Sequence, residues 1–234
     1  MRTLVATDFD GTVAGIQRDP TAVEFDPAAR ELLGELARRD GFVVAFLSGR
    51  DLDDLAARTA GIRAYRSGSH GRALRGPDGE ELLAAVPWAG DVDPAIRRDA
   101  ECAGLRIERK ASGIALHWLD VPGVSAEHAL VARFAAWARS EGLVTIAGRS
   151  VIEASIPGPS KAEMLQRIAF VARADRVLYS GDDLTDLDAI AWAATRGRGF
   201  FVRSSEREEP LPEGVVAVAS RGDLLDAWRR ELRL

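Results

Sequence analysis

The chain has 234 residues and a formal net charge of −5 at pH 7, with 47% hydrophobic and 29% charged residues. That length holds one well-buried core, or a core plus a smaller inserted domain, and the composition rules out a disordered chain. The acidic balance leaves no electrostatic footprint for nucleic acid or an anionic membrane, so neither is expected as a partner.

No apolar run reaches a membrane span, and Met1 to Asp8 holds no long apolar stretch before its first acid. Neither an anchor nor a secretory leader is therefore expected. The one cysteine, Cys102, excludes an internal disulfide and fits a reducing cytoplasm. Three histidines beside one cysteine disfavour zinc, which usually takes four clustered ligands. The expectation is a cytoplasmic monomer that acts on a small molecule. Of 31 basic residues only Lys110 and Lys161 are lysines; a lysine that survives in such a background is a candidate for chemistry.

Leu4 to Thr7 is a short apolar run that reads as a buried strand ending at Asp8. Pro27 to Arg39 has helical spacing of Ala28, Leu32, Leu33 and Leu36, with Asp26 as N-cap before the proline. Phe42 to Leu47 reads as a second buried strand, closed by Ser48-Gly49, and Asp51 to Thr59 as the next helix. Apolar rather than alternating strands between helices predict a parallel sheet covered on both faces.

The pattern changes after about residue 85. Pro94 to Ala103 reads as a helix, followed by paired strands at 105–108 and 113–121. Ser125 to Ser140 reads as an amphipathic helix, followed by a strand pair at 143–147 and 151–156. This helix-strand-strand block occurs twice and predicts an α+β insertion at 87–156, with 1–86 and 157–234 forming the α/β core. Helix Lys161 to Arg173 and strand Arg176 to Ser180 resume the alternation, which runs to a terminal helix at Asp223 to Leu232. His128 is expected on the surface of its helix and Cys102 buried as a small apolar group. Trp88, Trp137, Trp192 and Trp228 are expected in cores or interfaces.

Two acidic motifs follow predicted strands. Asp8-Phe9-Asp10-Gly11-Thr12 sets two carboxylates two residues apart, with a glycine that permits the tight turn after them. Gly181-Asp182-Asp183-Leu184-Thr185-Asp186-Leu187-Asp188 packs four acids into seven residues. Their repulsion would be offset by a divalent cation held by both motifs. Between them lie Ser48-Gly49-Arg50, a hydroxyl and backbone amides at a helix start, and Lys161, a compact positive charge. Together these make a phosphate cradle. In an open parallel sheet such positions gather in one crevice.

This ordered set resembles the haloacid dehalogenase superfamily of phosphatases, across the whole chain. The resemblance implies a Rossmann-like three-layer core with a cap domain for substrate recognition. It implies that Asp8 attacks phosphorus and that Asp10 is general acid and base, with Lys161 and Asp186 completing the catalytic set. It further implies Mg2+ held by Asp8, the Asp10 carbonyl and Asp182, with Asp183 and Asp186 ordering the metal shell. Ser48, Gly49, Gly11, Thr12 and Lys161 would bind phosphate.

Within the superfamily the chain is most similar to the trehalose-6-phosphate phosphatases, a sugar-phosphatase branch with a cap in this position. The matching stretches are Gly68-Ser69-His70-Gly71, Glu108-x-Lys110 with His117 beyond it, Gly148-Arg149-x-Val151-x-Glu153, and the Gly181 motif. The resemblance implies hydrolysis of trehalose 6-phosphate, with His70, Lys110, His117, Arg149 and Glu153 meeting the substrate. Departures from the family pattern are Ala73, Leu119, Ser155-Ile156 and Arg149, the last standing where the family has lysine. They all fall on the substrate side and keep open another phosphorylated disaccharide or pseudo-disaccharide, or a phosphosugar mutase. A phospho-accepting receiver module fits less well, because it has no use for Asp10 or for a cap.

Overall fold

The computed structural model describes residues 1–17, 19–126, 128–148, 150–203 and 210–234. They form two compact units, Met1–Ala84 with Pro159–Leu234, and Ala85–Gly158. In chain order the elements are β1 (Thr3–Thr7), α1 (Pro27–Arg38), β2 (Phe42–Leu47), α2 (Leu52–Arg58), β3 (Ala64–Gly68), β4 (Ala73–Arg75) and β5 (Glu81–Leu83). Next come α3 (Pro94–Cys102), β6 (Arg106–Lys110), β7 (Gly113–His117), α4 (Ala129–Ser140), β8 (Val144–Gly148) and β9 (Val151–Ser155). The chain closes with α5 (Lys161–Val171), β10 (Arg176–Gly181), α6 (Leu187–Ala194), β11 (Gly197–Val202), β12 (Val215–Val218) and α7 (Arg221–Leu232).

The larger unit is built on one sheet in the order β12-β11-β10-β1-β2-β3-β4-β5. Strands β12 to β3 run parallel and the β4-β5 edge is antiparallel. Alternate strand residues enter opposite faces, as the pleat requires. Val5, Val44, Phe46 and Leu178 pack with α1 and α7, whereas Leu4, Ala6, Ala45 and Val177 pack with α5 and α6. The result is a three-layer α/β core. Asp26 caps α1 as predicted, accepting from the Ala29 amide at 3.0 Å.

The smaller unit holds an antiparallel sheet, β6-β7-β9-β8, with the helix-strand-strand block given twice. Its apolar face (Ile114, Leu116, Ile152, Ala154) packs with Ile96 and Ala100 of α3 and with Leu130, Val131 and Phe134 of α4.

Three expectations need correction. Helix α4 starts at Ala129 rather than Ser125, and His128 is its N-cap, with Nδ1 accepting from the Leu130 amide. Cys102 is exposed, because the buried stripe of α3 is Ile96 and Ala100 and the cysteine lies off it. The strand expected to reach residue 121 ends at His117, and the chain turns through Asp120 at φ 59°. Strands β3 to β5 were not anticipated; β4 and β5 are only three residues each, too short to show a period. Trp228 is fully buried in the core. Among the described residues no helix is long and apolar enough to cross a membrane.

Candidate active site

The strand register sets the site. Thr7 of β1 lies opposite Ser180 of β10 and Phe46 of β2. Asp8, Asp182 and Ser48 therefore leave the sheet at one carboxyl edge, the place where open α/β sheets bind ligands. The Asp8 amide donates to the Ser180 carbonyl at 2.8 Å, and Phe9 is buried in the core beneath, so the first carboxylate is fixed to the strand end. Gly11 sits at φ +80°, and a methyl group there would collide with the Asp182 carboxylate. The glycine thus serves both the turn and the approach of the second motif.

Lys161 opens α5 behind a capping box made by Ser160 and Glu163. Its Nζ donates to Asp8 Oδ1 and to Asp186 Oδ1, each at 2.8 Å, and the Tyr179 hydroxyl donates to Asp186 Oδ1 at 2.6 Å. Asp8, Lys161 and Asp186 are all buried. Burial pushes the Asp8 carboxyl up, with Asp186 and Asp10 adding to the effect and Lys161 opposing it. Burial alone would lower the Lys161 ammonium, but the Asp186 and Asp8 charges outweigh it and raise the ammonium above its ordinary value. A carboxyl driven neutral and a cation held charged pull against each other across one 2.8 Å contact. We favour the ion pair, because the buried ammonium donates directly to Asp8 as well as to Asp186, and a cation in hydrogen-bond contact favours the ionised carboxylate.

Asp182 is raised well above the carboxylate range by burial, then by Asp8, Asp186 and Asp183. Oxygens of Asp8, Asp182 and Asp186 lie within 4.8 Å of one another. Two buried carboxyls and a half-buried third beside one lysine leave an excess of negative charge, and an all-oxygen donor set of this kind suits a hard divalent cation.

The other expected site residues divide. The Asp10 carboxylate is engaged by Arg50, and the Asp183 carboxylate accepts from the Leu184 amide at 2.7 Å, so neither side chain joins the buried acidic group. The Thr12 hydroxyl is buried, 3.4 Å from Asp182 Oδ1 and 3.5 Å from Asp8 Oδ2. Ser48 is buried beyond β2 and its Oγ accepts from the Arg50 amide at 3.2 Å. The His70 ring lies against Gly49.

In the smaller unit the register places Glu108 opposite Ala115, and Ala115 opposite Glu153. Glu108, Lys110, His117 and Glu153 thereby share the sheet face that α3 and α4 do not cover. Lys110 Nζ donates to Glu153 Oε2 at 2.5 Å, and Ser155 Oγ donates to Glu153 Oε1 at 3.0 Å. His117 Nε2 lies 2.7 Å from Glu108 Oε2. That hydrogen bond, aided by Lys110, holds Glu108 at about 2 against the opposing effect of burial. Arg149 lies outside the described residues.

The sequence model of the trehalose-phosphatase family matches residues 6–208. The chain belongs to that family. A trehalose-phosphate phosphatase from Mycobacterium tuberculosis (strain ATCC 25618 / H37Rv) is 31% identical over 241 residues, covering 97% of this chain and 61% of the relative. This trehalose-phosphatase family member thus spans about three fifths of the length of that relative. The C-terminal domain of the C. albicans trehalose-6-phosphate phosphatase shares the fold at a TM-score of 0.76, with 18% identity over 100% of this chain and 92% of that one. A haloacid dehalogenase-like hydrolase from Bacteroides thetaiotaomicron gives 0.70, with 15% identity over 98% and 99%.

Three contributors to the site were not singled out from the sequence. Arg50 follows Ser48-Gly49 directly, and its position beside a phosphate loop was a usable signal. Tyr179 carried none: it reads as an ordinary apolar strand residue, and only the fold brings its hydroxyl to Asp186. Glu108 was part of a quoted motif, but its partner His117 emerges only from the β6-β7 register.

Proposed function

We propose that this family member is a magnesium-dependent phosphoric monoester hydrolase that converts trehalose 6-phosphate to trehalose and phosphate. The observation that carries the reading is the buried Asp8–Lys161–Asp186 chain, with Asp182 completing an oxygen cluster at the sheet's carboxyl edge. Family membership supports the substrate class, and the single cysteine supports a cytoplasmic enzyme.

In this mechanism an Asp8 oxygen attacks phosphorus, forming an aspartyl-phosphate as the bond to the sugar oxygen breaks. Asp10 gives a proton to the leaving oxygen. Water then adds to phosphorus, Asp10 takes its proton, and phosphate departs with Asp8 regenerated. Both Asp10 oxygens are engaged by Arg50, so Asp10 releases at least one of those contacts to serve. Lys161 orients Asp8 and stabilises charge on the phosphoryl oxygens. Ser48 and the amides after it, with Gly11 and Thr12, bind the phosphoryl group. Asp8, Asp182 and the Asp10 carbonyl would hold Mg2+, with Asp183 and Asp186 ordering its surroundings; bound there, the ion supplies Lewis-acid charge neutralisation.

Recognition of the sugar we assign to the smaller unit, through Lys110, His117 and Glu153, with Arg149 as a further candidate. The test is phosphate release by the purified chain from trehalose 6-phosphate, glucose 6-phosphate and sucrose 6-phosphate with Mg2+. The expected result is a preference for trehalose 6-phosphate that Asp8→Asn abolishes. Equal turnover of all three sugars, or undiminished turnover by Asp8→Asn, refutes the reading.

A further inference from the structure

We propose that His70 is a positioning residue of the phosphate site, held there by a strained turn, rather than a contact for the sugar. The proposal deepens the phosphatase reading above and rests on it.

The turn after β3 is unusual in its backbone. Ser69, His70 and Gly71 have φ of 51°, 55° and 103° in succession. The left-handed region is disfavoured for residues that carry a Cβ, and two such residues in a row persist only where the surroundings over-determine them.

Those surroundings are the two elements expected to hold phosphate. The Ser69 amide donates to the Arg50 carbonyl at 2.7 Å, and the His70 amide donates to the Ser48 carbonyl at 3.0 Å. The Ser69 and His70 amides are thus spent on the residues flanking Gly49. The His70 ring covers Gly49 itself: a methyl group added there would stand 2.6 Å from Cε1 and 3.2 Å from Cδ2. Gly49 has no positive φ, so the ring and not the backbone conformation is what a side chain between Ser48 and Arg50 would meet.

On its far side the same turn meets the helix that bears Lys161. A methyl group at Gly71 would lie 2.6 Å from the Pro159 carbonyl oxygen and 3.0 Å from that of Ser160, the N-cap of α5. At Gly68 it would lie 2.7 Å from the Leu52 amide nitrogen. One four-residue turn therefore abuts the Ser48-Gly49 loop and the start of α5. Its geometry sets the spacing between the loop amides and Lys161, the groups that converge on the phosphoryl oxygens. Catalysis falls steeply with misplacement of such groups, even when no contact to substrate is lost.

His70→Asn is the variant of choice, because asparagine tolerates the left-handed backbone while removing the ring. It should be assayed on trehalose 6-phosphate and p-nitrophenyl phosphate, with inhibition by inorganic phosphate measured alongside. The expected result is a loss of at least ~10-fold on both substrates by a similar factor, and weaker phosphate inhibition. A loss confined to trehalose 6-phosphate makes His70 a sugar contact and overturns the proposal, as does no loss on either substrate.

A second test is independent of substrate. Gly49→Ala should lower activity and the melting temperature by collision with the ring, and in a His70→Asn background the added methyl should cost much less. Equal cost in both backgrounds means that the ring does not bear on Gly49, and the proposal fails. His70→Gly serves for the cycle if His70→Asn does not fold. If the wild-type chain releases phosphate from no substrate, the phosphatase reading fails, yet the cycle still reads the contact through the melting temperature.

Discussion

Arg50 grips both oxygens of the Asp10 carboxylate, with Nε 2.7 Å from Oδ2 and Nη2 2.6 Å from Oδ1. Its remaining Nη1 donates to Asp54 Oδ2 at 2.6 Å, and Asp54 is held in turn by Arg58, so the grip is anchored in α2. A planar fork makes such a two-point contact and an ammonium does not. Arg50→Lys is expected to lower kcat by ~10- to 100-fold, with KM changing much less, because Asp10 loses its orientation rather than its chemistry. Steady-state kinetics on trehalose 6-phosphate decide it. An unchanged kcat would show that Asp10 needs no such anchor.

The excess of clustered carboxylates at Asp8, Asp182 and Asp186 predicts strong dependence on a divalent cation. Chelation should stop turnover, and Mg2+ should restore it. Mg2+ should also raise the melting temperature of the wild type, since an ion that binds only the folded state stabilises it. Asp182→Asn should lose most of that increment. Full turnover in excess chelator would refute a metal-dependent site.

The smaller unit should affect only reactions that involve the sugar. Glu153→Gln keeps the side-chain volume and an acceptor for Ser155 Oγ but removes the charge opposite Lys110. On trehalose 6-phosphate the loss should be at least ~10-fold, the scale of one buried hydrogen bond to a charged partner. Hydrolysis of p-nitrophenyl phosphate should change little, and His117→Gln should behave in the same way. Lys110→Met breaks the ion pair to the buried Glu153, so it should also destabilise the fold by ~3 kcal/mol in urea unfolding. Equal losses on both substrates would place these residues in folding or in the chemistry.

Glu108 gives a dependence on acid. Its hydrogen bond from His117 depresses the carboxyl from 4.5 to about 2. A depressed carboxyl contributes stability above its unfolded value, and that contribution disappears as pH falls through the folded value. The wild type should therefore exceed Glu108→Gln in stability by a constant amount above pH ~5, with the gap closing by pH ~2. Solvent screening of a side chain one-third exposed limits the gap to ~1–2 kcal/mol. Urea midpoints of the two proteins between pH 7 and pH 2 measure it. A gap that widens in acid would contradict the assignment.

The local chemistry was legible in the residues themselves. Apolar runs that end at Asp8, Ser48 and Asp182 identify buried strands whose carboxyl ends carry acids and a hydroxyl. The parallel sheet follows, because short strands and helices alternate. The one lysine at a predicted helix start stood out against a background of arginine. These inferences needed only period, spacing and charge, quantities that neighbouring residues determine.

What pairs with what was decided by tertiary structure. Arg50 and Asp10 are 40 residues apart, and Lys110 and Glu153 are 43 apart. Whether Glu153 faces Lys110 or the apolar core depends on the β7-β9 register, since a slip of one residue turns every side chain to the other face. The contact of His70 with Gly49 required the left-handed turn to close on the loop beyond β2. Distant pairs of this kind form only when the packing of whole elements has set their distance, and no local pattern along the chain encodes that distance.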